Sequence, residues 1–450
     1  MSDSFRRWPL FASLIAYFVL TLALIFVVPT GDKPNLDANN AVFSPKLYRS
    51  PPDEAAHLRY VQYLAANGKL PVFNGLPPSQ SQDYEFHQPP LYYVICAPLA
   101  KIFGAETLFH ACRFVSMLAS LATIWVIWAA SRLLFPSNWR IAGVAAGFAA
   151  LLPLHQAAGA GVNNDSLGGL ICALLFWLMA RVWIVGPTWR EVGQIGLVAG
   201  VGILTKNTTL SVAAATFLVL LWATSQSQDE KAPRPVLAFG AAFAIAMLVG
   251  GSILIRNQFL YGDVLAQKIF SAAFKGESFG PTEFARFGIG PFIYLRNLVF
   301  VAFCSLWGFF GGANGAGDAT HLFGGGPTLP NPALFLPMLI CGLAPVVALL
   351  GWRILRAEDG LEASPKAVRS SWVLGIAFVG LAWAQFAAQY FAGGQARYGH
   401  PALLPVCIFL AAGWVGFWGK ARALTVASSF FAVVLIGLTL LNVFVWKNLS

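Results

Sequence analysis

Residues 51–64 read Pro-Pro-Asp-Glu-Ala-Ala-His-Leu-Arg-Tyr-Val-Gln-Tyr-Leu, and their spacing suits proton transfer. Proline ahead of an acidic pair opens a helix, whose dipole favours a carboxylate in the first turn. Four positions separate Asp53 from His57, which puts both on one helical face. An ionised carboxylate beside an imidazole can take the proton of a hydroxyl. The other reading is a helix-capping acid followed by a solvent-facing histidine. Leu58, Val61 and Leu64 form a separate apolar face, expected to rest on a membrane surface.

A second motif, Tyr84-Glu85-Phe86-His87-Gln88-Pro89-Pro90-Leu91-Tyr92-Tyr93, ends one element at its double proline and starts a short apolar helix running to about Phe103. That helix is too short to cross a bilayer comfortably, so an interfacial position is expected. A third, Gly161-Val162-Asn163-Asn164-Asp165-Ser166, sets an acid at the mouth of an apolar run, where it serves as a functional group, a helix cap or both. Lys206, Arg256 and Arg397 also stand at the ends of apolar runs. Arginine grips phosphate through two parallel hydrogen bonds, and snorkelling to lipid headgroups is the competing explanation.

The elements that carry these residues follow from composition. The 450 residues are 57% hydrophobic and only 11% charged, against about 25% charged in soluble chains. Mean hydropathy is +0.66. Apolar runs recur along the whole length, so the chain reads as an all-α polytopic membrane protein of about 11–13 transmembrane helices, forming a single membrane-embedded domain over 1–450. Residues 8–28 make the first span. Residues 29–109 form a large extracytoplasmic loop with interfacial helices, and 110–256 carry spans two to seven. An outer loop at 257–331 includes a short apolar stretch, 297–312, that crosses or re-enters. The C-terminal spans occupy 332–446.

The net charge of +10 comes without a basic stripe, so no nucleic acid is expected as a partner. With 297–312 not crossing, the expected inner segments hold 14 of the 29 Lys and Arg, in keeping with the positive-inside rule. Asp53, Glu54, His57, His87, Asp165, Lys206, Arg256 and Arg397 then share the outer face. Six scattered cysteines without a CxxC suggest packing, not metal or redox chemistry. The glycine-rich stretch 311–326 lacks a phosphate-loop signature.

Taken in order, the acidic pair in a long first loop, the His-Gln-Pro-Pro-Leu-Tyr-Tyr stretch, Arg-Asn-x-x-x-Tyr-Gly-Asp from Arg256 and Gln-x-Arg-Tyr-x-x-Pro from Gln395 resemble the C-type superfamily of membrane glycosyltransferases. The likeness is to its protein O-mannosyltransferase and aminoarabinose-transferase branch, above all to uncharacterised bacterial members. It implies transfer of a monosaccharide from a polyprenyl-phosphate donor to an acceptor hydroxyl of a lipid, glycan or protein, with inversion and without cofactor or metal. The setting implied is the extracytoplasmic face of a bacterial plasma membrane.

The resemblance also implies roles. Asp53 matches the catalytic acid and acts as base, Glu54 is its acidic neighbour, and Asp165 matches the second acid. His57, His87 and Gln88 would orient the acceptor. Gln88 replaces the lysine that the aminoarabinose transferases carry before Pro-Pro, which moves donor-phosphate contact toward Arg397, Arg256 and Lys206. The competing classes are a flippase or transporter of lipid-linked saccharides, a polysaccharide-assembly protein without transferase activity, and a scaffold that binds glycolipid without turnover. Charges at span ends and polar mass gathered in one loop favour the enzyme.

Overall fold

The computed structural model describes residues 3–27, 53–78, 80–104, 107–275, 280–307, 332–358 and 366–448. Pro51, Pro52 and the stretch 311–326 lie outside them. Every element described is helical: α1 Asp3–Val27, α2 Glu54–Asn67, a 3-10 turn Gln82–His87, α3 Leu91–Cys96 continued by Ala97–Lys101, α4 Leu108–Leu134, α5 Trp139–Leu151, α6 Pro153–Ala160, α7 Asp165–Ile184, α8 Trp189–Thr205, α9 Thr209–Gln226, α10 Pro235–Tyr261, α11 Gln267–Ala273, α12 Pro281–Arg286, α13 Pro291–Trp307, α14 Pro332–Gly342, α15 Ala344–Glu358, α16 Lys366–Ala387, a 3-10 segment Ala396–Ala402 leading into α17 Leu403–Trp418, and α18 Ala421–Asn448.

Among the described residues eight helices are long and apolar enough to cross a membrane, nine if α5 and α6 form one span bent by 57°. The chain is an integral membrane protein. The further apolar runs behind the sequence-based count of 11–13 fold as shorter or broken helices. Pro153 breaks the run between α5 and α6, and Leu343 separates α14 from α15. Helices α8 and α13 have 17 residues each, a rise of about 26 Å against a hydrocarbon core of about 30 Å. The ambiguous stretch 297–312 therefore belongs to a helix that starts at Pro291; residues 308–312 are outside the described set.

Small residues let α8 and α10 approach to backbone contact. A Cβ on Gly250 would stand 2.5 Å from the Gly200 carbonyl oxygen, the close crossing that membrane interfaces build from small side chains. All six cysteines are free and buried, in keeping with a packing role.

The described part of the first loop packs on one end of the bundle around its own core of Ala56, Tyr60, Val61, Leu64, Phe86, Tyr92 and Tyr93, joined by Cys112 and Val162 of the bundle. Tyr60 and Tyr93 stack with centroids 3.9 Å apart. This corrects the expectation of a lipid-facing stripe on α2: Val61 and Leu64 are buried and Leu58 packs against the same core. Arg113, one charge inside the apolar run of α4, locks the loop down. Its Nε and Nη2 each donate to Glu54 at 2.7 Å, and its Nη1 donates to the Ile25 carbonyl.

Candidate active site

Asp53 precedes α2 in the left-handed conformation, φ 65°, a strained setting that non-glycine residues occupy at functional or tight-turn positions. Its carboxylate does not cap the helix. It leaves the α2 axis and meets two donors, Arg397 Nη2 at 3.0 Å on Oδ2 and the Tyr84 hydroxyl at 3.1 Å on Oδ1. Burial opposes ionisation of Asp53, but Arg397, His57 and the hydrogen bonds outweigh it and hold the carboxyl below its ordinary range. Burial, then the charges of Asp53 and Glu85, push the Tyr84 hydroxyl well above its usual value, so it stays a donor. Arg397 also donates to the Tyr398 hydroxyl, and its buried Nε has no hydrogen-bond partner.

A second ion pair joins two span ends. Lys206, just past α8, donates to Asp165 at 2.6 Å and to Asn164 Oδ1 at 3.0 Å. Asp165 is not the cap of α7; Asn163 Oδ1 accepts from the backbone N–H of Asp165 and Ser166 and does that work. From Asn164 the hydrogen bonds continue into the loop. Its amide donates to Gln88 Oε1 at 3.3 Å, and the Gln88 amide faces His87 Nε2 at 3.4 Å. His87 Nδ1 lies 2.7 Å from the Tyr84 carbonyl, which only accepts, so Nδ1 carries the proton and Nε2 is free to accept. Burial, with Lys206 adding to it, lowers His87 to about 4 and keeps it neutral.

His57 is buried, not solvent-facing, and shares a 2.7 Å hydrogen bond with the Tyr93 hydroxyl. Burial lowers its pKa despite the opposing charges of Glu85 and Asp53. Asp53, His57, His87, Gln88, Asp165, Lys206 and Arg397 are thus gathered at one end of the bundle. Two further expected members stand at the same end but are bonded elsewhere. Glu54 turns away: both oxygens are taken by Arg113, and Oε1 also accepts the Val162 N–H, so it anchors the loop. Arg256 sits one turn before the end of α10 and donates to the Pro71 carbonyl.

Tyr84, Glu85 and Asn164 were missed as site residues although they lie within the motifs that drew attention. Arg113 carried its own signal, a lone charge within an apolar run. Among the described residues no three His, Cys, Asp or Glu side chains group as metal ligands would.

The family model described as dolichyl-phosphate-mannose-protein mannosyltransferase matches residues 87–250. The chain resembles the C-type membrane glycosyltransferases. The matched segment, a little over a third of the chain, includes His87, Gln88, Asp165 and Lys206 but neither Asp53 nor Arg397. No curated protein sequence matches the chain. Among solved structures, the apo oligosaccharyltransferase of Archaeoglobus fulgidus aligns with a TM-score of 0.45 at 16% identity, covering 100% of this chain and 56% of that one. ArnT from Cupriavidus metallidurans bound to undecaprenyl phosphate aligns at 0.42 and 15%, covering 98% and 78%. This chain spans just over half the length of the oligosaccharyltransferase.

Proposed function

We propose that the protein is a glycosyltransferase that moves a monosaccharide from a polyprenyl-phosphate donor to an acceptor hydroxyl at the extracytoplasmic face of a bacterial plasma membrane. One observation carries the reading: two carboxylate–cation pairs, Asp53–Arg397 and Asp165–Lys206, meet at one end of the bundle under a folded loop. In this scheme the donor phosphate binds Arg397, whose Nε is unpartnered, and Lys206. Sharing the guanidinium with phosphate weakens its hold on Asp53 and makes that carboxylate a better base. Asp53 takes the acceptor proton. The acceptor oxygen bonds the anomeric carbon from the face opposite the phosphate, and the old C–O bond breaks with its electron pair on the phosphate oxygen. The anomeric centre inverts. Arg397 and Lys206 stabilise the charge developing on the departing phosphate.

Asp53→Asn is the direct test, because asparagine tolerates the left-handed backbone at this position and keeps a carbonyl for Tyr84. In lipid nanodiscs with polyprenyl-phosphate monosaccharides and membrane-extract acceptors, the wild-type protein should transfer sugar with inversion, read by NMR of the product. The variant should retain donor binding and lose transfer. Full turnover by Asp53→Asn would remove Asp53 from the chemistry.

A further inference from the structure

Among the described residues, three carboxylates of this region are occupied. Asp53 is held by Arg397 and Tyr84, Asp165 by Lys206, and Glu54 by Arg113 and the Val162 N–H. Glu85 differs. It is 5% exposed, and its buried Oε2 accepts no hydrogen bond. Its place is fixed from both sides, since Tyr84 donates to Asp53 and His87 donates back to the Tyr84 carbonyl. In the chain it lies between Tyr84, which donates to Asp53, and Gln88, which accepts from Asn164 beside Lys206, so it stands between the two ion pairs. Burial, with Asp53 adding to it, raises its carboxyl above the ordinary range against the charges of His57, Lys206 and Arg397.

For the folded chain alone, a buried carboxylate oxygen without a donor is a loss, and such groups call for an explanation. A ligand that donates a hydrogen bond removes the loss. Lys206 and Arg397 already supply positive charge nearby, which disfavours an ammonium donor, and an anion has no proton to donate to Oε2. A neutral hydroxyl fits.

We infer that Glu85 is a substrate-binding residue whose Oε2 accepts a hydrogen bond from a hydroxyl of the transferred sugar, between the Asp53–Arg397 and Asp165–Lys206 pairs. The assignment rests on the transferase reading above and adds a sugar-selecting contact to it. A site built to bind a hydroxyl rejects the analogue that lacks it far more strongly than an apolar pocket does.

The test uses the full chain in nanodiscs and two readouts. First, polyprenyl-phosphate monosaccharides and their monodeoxy analogues are compared by kcat/KM. One deoxy position should cost wild type at least about tenfold, and Glu85→Gln should erase much of that discrimination. Equal discrimination in wild type and Glu85→Gln would overturn the inference. Second, infrared difference spectra of the wild type, with Glu85→Gln as the reference, follow the Glu85 carboxyl band. The band should shift on adding a polyprenyl-phosphate monosaccharide and not on adding bare polyprenyl phosphate. A shift without turnover would sink the transferase reading and leave sugar binding by Glu85 standing. No difference between the two lipids would sink the Glu85 assignment whatever the turnover.

Discussion

Arg397 Nη2 donates to Asp53 Oδ2 at 3.0 Å across 344 positions of sequence, tying the start of the last-but-one span to the residue that precedes α2 in the first loop. The pair is partly exposed, 22% and 29%, so it adds little to the stability of the fold. Arg397→Gln should therefore lower transfer by about 10²–10³-fold with little loss of fold. It should also move the acid limb of the pH–rate profile. With the guanidinium gone, burial acts on Asp53 less opposed, its pKa rises, and the ionised base is lost at a higher pH than in wild type. An unmoved acid limb would separate Asp53 from the rate.

The Lys206–Asp165 pair is more enclosed, 15% and 16% exposed. Lys206→Met strands a carboxylate and should cost about 2 kcal/mol, the figure for a buried pair discounted for its partial exposure. Adding Asp165→Asn should restore much of that loss. Thermal unfolding of the two single variants and the double variant gives the coupling directly; additive effects would mean that the pair does not act as a unit.

Glu54 and Asp53 are neighbours with opposite fates. Glu54→Ala removes the carboxylate that pairs with the fully buried Arg113 and should destabilise the protein by about 3–5 kcal/mol, whereas Asp53→Asn should melt near wild type while inactive. Melting temperatures in detergent decide this. A stable, inactive Glu54→Ala would return Glu54 to the chemistry.

That contrast marks how far the sequence could be read. The spans were legible because apolar runs of bilayer length have few alternatives, and the site motifs were legible because charges at span ends are costly without a purpose. The acidic pair could not be divided from spacing alone. Adjacent helical residues point about 100° apart, and Asp53 adopts a left-handed turn that takes it off the α2 axis. Arg256 and Arg397 looked alike as arginines at span ends. They differ because α10 runs on to Tyr261, leaving Arg256 within reach of Pro71. Glu85 gave no pattern of its own; only the burial of its oxygen distinguishes it.

His87 offers a stability test that is independent of turnover. Its folded pKa, about 4, lies below the ordinary 6.5, so the unfolded chain binds the proton more readily. The associated stability is present above pH 6.5, falls as pH drops toward 4, and amounts to about 3 kcal/mol at most. His87→Gln should flatten the fall in melting temperature over that window. An unchanged slope would assign the acid sensitivity to other groups.

Sidedness is open to direct chemistry. Helix α9 starts beside Lys206 at Thr209 and ends at Gln226, and α10 returns from Pro235 to Arg256 and Tyr261, so residues 227–234 lie at the end of the bundle away from the site. Asn67 and Lys231 are exposed at the two ends, and the native cysteines are buried. Lys231 and Arg234 in 227–234 argue for a cytoplasmic position there, since Asp229 and Glu230 count little in the positive-inside rule. In intact spheroplasts a membrane-impermeant maleimide should label Asn67→Cys and spare Lys231→Cys until the membrane is opened. The reverse pattern would turn the site toward the cytoplasm, where the acceptor and the donor face would both have to be reassigned.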